Sequence, residues 1–258
     1  MVMNTMLLSF WSEMGFEEWL LIISSILILP AIIFALVAQA RVHSAFGRFS
    51  QEMSMSGETG ATVARKLLDE NGCSHVKIEL THGRLSDHYD PRTKVVRLSH
   101  DVHNSSSLAA LGVAAHEVGH AIQDHTGYIP LKLRQLVIRT TRLVNVALMP
   151  LIILGFLGFF LFPLLISESF FFWFIIAMAI TYGLSALINL ITLPTEYDAS
   201  RRAKRMLDES NILHDEDERD AVRRVLGAAA LTYVASLVVS LVFFLRFLAL
   251  ALMANRRR

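Results

Sequence analysis

The sequence predicts a mostly α-helical membrane protein with about four transmembrane helices and one water-facing α+β domain. Hydrophobic residues make up 53% of the 258 residues and charged residues only 18%, which is too apolar for a soluble domain with ordinary surface chemistry. A polar region of about 100 residues between the first two apolar stretches is long enough to form a core of its own. Part of the chain is therefore expected to face lipid, and part to fold in water.

Four apolar stretches approach the roughly 20 residues that are needed to cross a hydrocarbon core. They cover residues 19–40, 143–166, 170–193 and 228–253. Only residues 167–169 separate the second stretch from the third, so these two are expected to form a helical hairpin. Arg246 interrupts the fourth stretch, which either crosses the membrane with a snorkelling arginine or lies at the interface.

The polar region carries the sequence patterns of both helices and strands. Residues 59–71 have apolar side chains at helical spacing and are followed by Gly72, a residue that favours helix ends. Residues 76–80 and 95–99 alternate apolar and polar side chains, as half-buried strands do, and a turn is expected at residues 90–91. These segments predict a small antiparallel sheet.

A second helix of the polar region is predicted from Ser106 to His125, and Gly127 follows it. Its apolar part, residues 108–122, is too short to span a membrane and contains two histidines and a glutamate. The sequence therefore predicts a buried helix of the water-facing domain. A basic amphipathic stretch begins at Pro130, and it is expected to lie at the membrane surface.

The buried helix carries a pattern typical of zinc hydrolases, His116-Glu117-Val118-Gly119-His120. With 3.6 residues per turn, His116 and His120 project from one face, close enough to share a metal ion. Glu117 is rotated by about 100° from His116, which lets it reach a metal-bound water instead of the metal. Zinc lowers the pKa of that water towards about 7, and Glu117 can take its proton as it attacks a carbonyl.

A catalytic zinc ion normally has three protein ligands, so one further His, Asp or Glu is expected. Pro194 ends the third apolar stretch, and Thr195 with Asp198 matches a capping box that begins a new helix. That arrangement gives Asp198 a local partner and leaves Glu196 as the candidate third ligand. The remaining candidates are His100, His103, His125 and His214.

Three segments of the chain resemble one known family: AAHEVGHAIQ at residues 114–123, SDHYDP at 86–91 and EYDAS at 196–200. Together they resemble the YugP-type neutral zinc metallopeptidases of bacterial membranes. More remotely, the chain is similar to the HtpX-like and CAAX-prenyl endopeptidases, which are gluzincins with a glutamate as third ligand. The resemblance implies a zincin-like α+β domain with an HExxH active-site helix, a Zn²⁺ cofactor, and Glu196 as the third ligand.

The resemblance also raises expectations about the surroundings of the zinc. The remote relatives often have an aspartate four residues after the glutamate, supporting a zinc-binding histidine, whereas this chain has Ser200. Ser200 or Asp124 is expected to replace that aspartate only in part. Two interpretations remain open for an edge strand at residues 95–99 or 85–89: it pairs with the substrate through its main chain, or it is a solvated edge strand. The group that stabilises the oxyanion stays open among Tyr197, His214 and His88.

The sequence thus predicts a membrane-anchored zinc endopeptidase that binds its metal through His116, His120 and Glu196 and uses Glu117 as general base. Two alternatives stay open: an intramembrane zinc protease, and a non-catalytic membrane scaffold or metal-binding regulator. The expected partners are the lipid bilayer and a peptide or membrane-protein substrate, with a regulatory or oligomeric partner left open. A net charge of +1 gives no indication of nucleic-acid binding.

The distribution of basic residues predicts the orientation of the chain. Residues 41–142 hold 13 Lys and Arg and residues 201–224 hold 7, whereas none precedes Trp19. By the positive-inside rule both polar regions face the cytoplasm of a bacterial inner or plasma membrane. The predicted parts are an N-terminal segment with the first span (1–40), the cytoplasmic catalytic domain (41–142), a transmembrane hairpin (143–193), cytoplasmic helices with the third ligand (194–227), and a hydrophobic helix with a basic tail (228–258).

Overall fold

The computed structural model describes residues 14–83, 86–137, 150, 153, 155, 157 and 168–256. Its helices are α1 (Phe16–Phe49), α2 (Gly60–Glu70), α3 (His100–His103), α4 (Leu108–His125), α5 (Glu168–Glu209) and α6 (Glu216–Arg256). Its strands are β1 (Lys77–Thr81), β2 (His88–Asp90) and β3 (Val95–Ser99). Residues 129–137 are also helical. The chain divides into two compact units, one of residues 1–35, 137–189 and 235–258, and a second of residues 36–136 and 190–234.

Three of the described helices, α1, α5 and α6, are long and apolar enough to cross a membrane. They contain three of the four apolar stretches that the sequence singled out, namely 19–40, 170–193 and 228–253. The remaining stretch, 143–166, lies outside the described residues apart from isolated positions. α6 continues through Arg246, whose guanidinium donates a hydrogen bond of 2.6 Å to the hydroxyl of Ser25. That bond gives one of the five guanidinium N–H groups an acceptor inside an otherwise apolar segment.

The predicted helix break at Pro194 is wrong, because α5 runs through this residue without interruption. A proline inside a helix removes one N–H donor, and the surrounding packing can keep the helix continuous. The hydroxyl of Thr195 bonds back to the carbonyl of Ile191 at 3.4 Å, as helical Ser and Thr side chains do. Thr195 and Asp198 therefore form no capping box, and Glu196 lies in the interior of a helix.

The sheet is mixed, which corrects the prediction of an antiparallel sheet. Its strand order is β1-β3-β2, and β3 runs parallel to β1 but antiparallel to β2. Lys77 stands opposite Val95 in the parallel pair, and His88 stands opposite Arg97 in the antiparallel pair. Alternating side chains predict a strand but carry no information about its direction. β2 is an edge strand, whereas β3 is central and largely buried.

The second unit has its core between α2, α4 and β3, with contributions from the ends of α5 and α6. Its buried side chains include Val63, Leu67, Leu68, Val96, Leu98, Leu111, Ala114, Ala115, Val118, Met206, Leu207 and Val222. α4 begins at a capping Ser107, whose hydroxyl accepts a hydrogen bond from the Ala110 N–H. From Leu108 to Gln123, all but two of its side chains are buried. This helix forms the centre of the unit and positions the candidate site.

Candidate metal centre

α4 and α5 bring His116, His120 and Glu196 together. The two imidazole rings lie side by side with centroids 4.7 Å apart and a T-shaped orientation. Glu196 Oε2 lies 3.2 Å from His116 Nε2 and 3.5 Å from His120 Nε2. One ligand atom from each residue lies within 4.8 Å of the others, and the described ranges contain no other such group of three.

The three side chains fit a zinc ion in both chemistry and spacing. Imidazole nitrogens and a carboxylate oxygen are ligands that zinc prefers, whereas calcium and magnesium prefer an all-oxygen set. Zinc bonds of about 2.0–2.2 Å in tetrahedral geometry place two ligand atoms about 3.3–3.6 Å apart. The two nitrogen-to-oxygen distances of 3.2 and 3.5 Å are close to that separation.

Glu117 is buried beside this cluster and is held in place by the edge strand β2. The backbone N–H of Tyr89 donates a hydrogen bond of 2.9 Å to Glu117 Oε2. Burial raises the pKa of Glu117 to about 7, with His116 opposing the shift and the negative charge of Glu196 adding to it. A carboxyl group with a pKa near 7 can take up and return a proton at neutral pH.

Gln123 determines which nitrogen of His120 is free to bind a metal. Its amide nitrogen donates to the Thr195 carbonyl at 2.7 Å and to Asp198 Oδ2 at 3.0 Å. Because both partners are acceptors, the amide oxygen of Gln123 must face His120, where it lies 3.0 Å from Nδ1. Nδ1 of His120 therefore carries the hydrogen, and Nε2 keeps its lone pair on the side of Glu196.

His116 is supported by the residue that takes the place of the relatives' aspartate. Ser200 Oγ lies 3.2 Å from His116 Nδ1, so its hydroxyl can accept the Nδ1 hydrogen. Asp124, the other candidate for this role, instead accepts hydrogen bonds from the Tyr89 hydroxyl, at 2.7 Å, and from Lys94. The neutral hydroxyl of Ser200 thus contacts His116 at the place where the remote relatives often have a charged aspartate.

Arg134 neutralises the side of Glu196 that faces away from the histidines. Its Nη1 lies 2.9 Å from Glu196 Oε1, in an orientation that makes an ion pair without an aligned hydrogen bond. Glu196 is only 2% exposed, and a buried carboxylate is costly unless a cation lies near it. The two oxygens of Glu196 therefore have separate partners, Arg134 at Oε1 and the imidazoles at Oε2.

A cavity of about 180 Å³ opens beside the cluster. Its polar lining comes from Asp87, His116, Glu117, Glu196 and Ser200. The rest of its lining comes from α4 and α6, through Val113, Val225, Leu226, Ala229, Ala230 and Tyr233. Asp87 is bonded to the Ser99 backbone N–H at 2.7 Å, and burial raises the pKa of Asp87. The cluster is thus accessible from a space large enough for a side chain.

The other histidines proposed as ligands do not join this cluster. His100 lines a separate cavity with Asp101, and His103 bonds to the side chain of Asn104 at 2.7 Å. The ring of His125 lies 5.9 Å from that of His75. His214 is exposed.

None of the three candidates for oxyanion stabilisation, Tyr197, His214 and His88, lines the cavity beside the cluster. Tyr197 is 51% exposed, and His88 is exposed with its Nδ1 2.8 Å from the Ser86 carbonyl.

Three residues at the site were not predicted from the sequence, namely Gln123, Arg134 and Tyr233. Only Gln123 could have been predicted from the sequence, because it lies three positions after His120 on the same helix and therefore on the same face.

Comparison with known proteins extends over nearly the whole chain. Residues 24–252 match the family described as "Putative neutral zinc metallopeptidase". The chain is also 41% identical over 211 residues to "Putative membrane protease YugP" of Bacillus subtilis (strain 168), an alignment that covers 81% of this chain and 88% of that protein. No solved structure matches the chain.

Proposed function

Because this chain belongs to the family of neutral zinc metallopeptidases, we propose that it is a membrane-anchored zinc endopeptidase with His116, His120 and Glu196 as metal ligands. The observation that carries the proposal is the convergence of both histidine Nε2 atoms on Glu196 Oε2, at 3.2 and 3.5 Å. The buried carboxyl group of Glu117 lies beside them. A general base next to three candidate ligands is the arrangement that zinc-assisted hydrolysis needs.

Each residue of the site has a distinct part in peptide-bond hydrolysis. Zinc, when bound, acts as a Lewis acid on the peptide carbonyl and makes water a nucleophile at neutral pH. Glu117 accepts a proton from the attacking water and later delivers it to the leaving amine. The Tyr89 N–H fixes Glu117 through Oε2, which leaves Oε1 to carry the proton. Gln123 keeps His120 in the tautomer that presents Nε2.

The test compares Glu117→Gln with the unchanged protein, using the full chain purified in detergent. Glu117→Gln is expected to keep zinc and to lose peptide cleavage by roughly 10²–10⁴-fold, because an amide cannot accept the proton. Glu196→Gln is expected to lose zinc and activity together, since a primary ligand is weakened. The matched control is Glu209→Gln, which removes an exposed carboxylate of the same helix α5 and should change neither property.

The same measurements separate the proposal from its alternatives. A non-catalytic metal-binding regulator would bind zinc but cleave no peptide, with or without Glu117. Undiminished cleavage by Glu117→Gln would refute the general-base role. The position of α4 argues against an intramembrane protease, because α4 is not among the three described helices that are long and apolar enough to span a membrane. Glu196, in contrast, lies on α5, which is one of these three helices.

We also propose that the site faces the cytoplasm. The support is the charge distribution, with 13 basic residues in 41–142 and 7 in 201–224. All three candidate ligands lie in the second unit, which is formed by residues 36–136 and 190–234 and holds both of these basic segments almost entirely.

A further inference from the structure

The cavity beside the cluster has two chemically different walls. One carries the catalytic cluster with its carboxylates and imidazoles. The other is a face of α6, where side chains four positions apart lie above one another. That face is formed by Val225, Leu226, Ala229 and Ala230. It ends at Tyr233, one turn beyond Ala229.

We propose that this cavity binds an apolar side chain of the substrate next to the scissile peptide bond. The inference rests on the proposed function and adds a substrate class to it, namely peptides with a medium-sized apolar residue at that place. A peptide whose carbonyl group reaches the cluster brings its neighbouring side chains close to this cavity, because the cluster forms part of the cavity lining. Because the α6 wall offers almost no polar partner, an apolar side chain gains by leaving water there, whereas a polar one loses its hydrogen bonds.

Small residues on α6 keep this space open. Ala230 is only 7% exposed, and its side chain ends at the cavity wall. Ala229 lies next to it, while the larger Val225 and Leu226 close the wall one turn earlier. Residues 229 and 230 are therefore the smallest side chains that α6 contributes to the lining of this cavity of about 180 Å³. A larger side chain at either position would occupy the space that the substrate needs.

The carboxyl groups of the cavity lining add a second criterion by which the cavity selects substrate side chains. Asp87 also lines the cavity, and its oxygens accept hydrogen bonds from the backbone N–H and hydroxyl of Ser99 at 2.7 and 3.1 Å. Glu117 and Glu196 line the same cavity. An acidic substrate side chain would lose its water beside the carboxyl groups of Asp87 and Glu117, so acidic residues are expected to be rejected.

The experiment measures kcat/KM on a peptide series that varies the residues flanking the cleaved bond through Gly, Ala, Leu, Phe and Asp. The unchanged zinc-loaded protein is expected to favour Leu over Gly by at least about 10-fold at one flanking position, and to cleave Asp least. Ala230→Leu fills the cavity and is expected to lose at least about 10-fold on Leu and Phe peptides but little on Ala peptides. Val225→Ala enlarges the cavity and is expected to improve Phe relative to Leu.

The matched control is Ala228→Leu, which makes the same change at a position about 200° away around α6 and outside the cavity lining. It is expected to keep the original preference. Zinc content and melting temperature of each variant separate a filled cavity from a misfolded chain. If Ala230→Leu does not fold, the peptide preference of Val225→Ala tests the inference instead.

Two outcomes distinguish the inference from the function on which it rests. Cleavage that shows no preference among the flanking residues, or an unchanged profile in both cavity variants, overturns the inference and leaves the peptidase intact. A zinc-loaded protein that cleaves no member of the series overturns the proposed function itself.

Discussion

Replacing Gly119 by alanine tests whether the close approach of α4 and α5 creates the metal site. Gly119 lies between the two histidines, and a Cβ atom at this position would stand 2.7 Å from the Ala199 carbonyl oxygen. It would also lie 3.2 Å from both the carbonyl carbon and the Cα of Ala199. These are backbone atoms of α5, so no side-chain rotation can relieve the overlap.

The expected loss of zinc affinity follows from the overlap between the added Cβ atom and the backbone of Ala199. An ordinary contact begins near 3.4 Å, so the two helices must separate by about 0.7 Å at this point. Glu196 lies one turn before Ala199, and zinc tolerates deviations of only about 0.2 Å in its ligand distances. We expect Gly119→Ala to lower zinc affinity by at least about 10-fold. Overpacking costs about 1–3 kcal/mol, which exceeds the gain of up to about 1 kcal/mol in helix propensity, so the melting temperature should also fall.

The assay is competitive zinc titration against a chromogenic chelator, together with thermal melting of the metal-free protein. The control is Gly112→Ala, two turns earlier on α4, where the added Cβ would lie at an ordinary 3.4 Å from Val222 Cγ1. That variant should keep its zinc affinity and melt no lower than the unchanged protein. Zinc binding by Gly119→Ala at the original affinity would refute the idea that helix contact sets the ligand geometry.

Three further predictions concern the surroundings of the site. Gln123→Leu should weaken zinc by about 10–100-fold and release the tautomer of His120, which ¹⁵N chemical shifts of the imidazole report in the metal-free protein. In the metal-free protein, Glu117 has its pKa raised from 4.5 to about 7, so its contribution to stability is fully present below pH 4.5 and is lost as the pH rises through about 7. Glu117→Gln should lack that part of the pH dependence in thermal melting. Cysteine at the exposed positions Gln51 or Asp217 should resist an impermeant thiol reagent in intact cells, and labelling there would reverse the proposed orientation.

The membrane-spanning helices and two of the three candidate ligands could be predicted from the sequence, because they depend on local patterns. Length and apolarity predicted the helices that contain residues 19–40, 170–193 and 228–253, since a membrane span needs about 20 apolar residues. The spacing of His116 and His120 predicted their common face on a helix. The family resemblance, carried by three short segments, is confirmed by the match over residues 24–252.

The errors came from features that local patterns do not encode. Alternating side chains cannot reveal that β3 runs parallel to β1, because strand direction depends on the path of the connection. The rule that proline ends a helix holds for isolated helices, whereas α5 passes through Pro194 in a packed environment. Tyr233 reaches the site from α6, which is far from α4 in sequence, and Arg134 from the helical segment 129–137 that follows α4. The direction in which each side chain points depends on how these helices pack, which no local pattern encodes.

The distance along the chain between the two halves of the site also sets an order of events during synthesis. Residue 196 follows residue 120 by 76 positions, and ribosomes add about 5–20 residues per second, so roughly 4–15 s separate the two. During that interval the nascent chain contains His116 and His120 without Glu196, so only two of the three proposed zinc ligands are present. The complete site can form only after the segment that carries Glu196 has been made. For the function proposed above, this order would delay activity until the chain beyond residue 196 has been made.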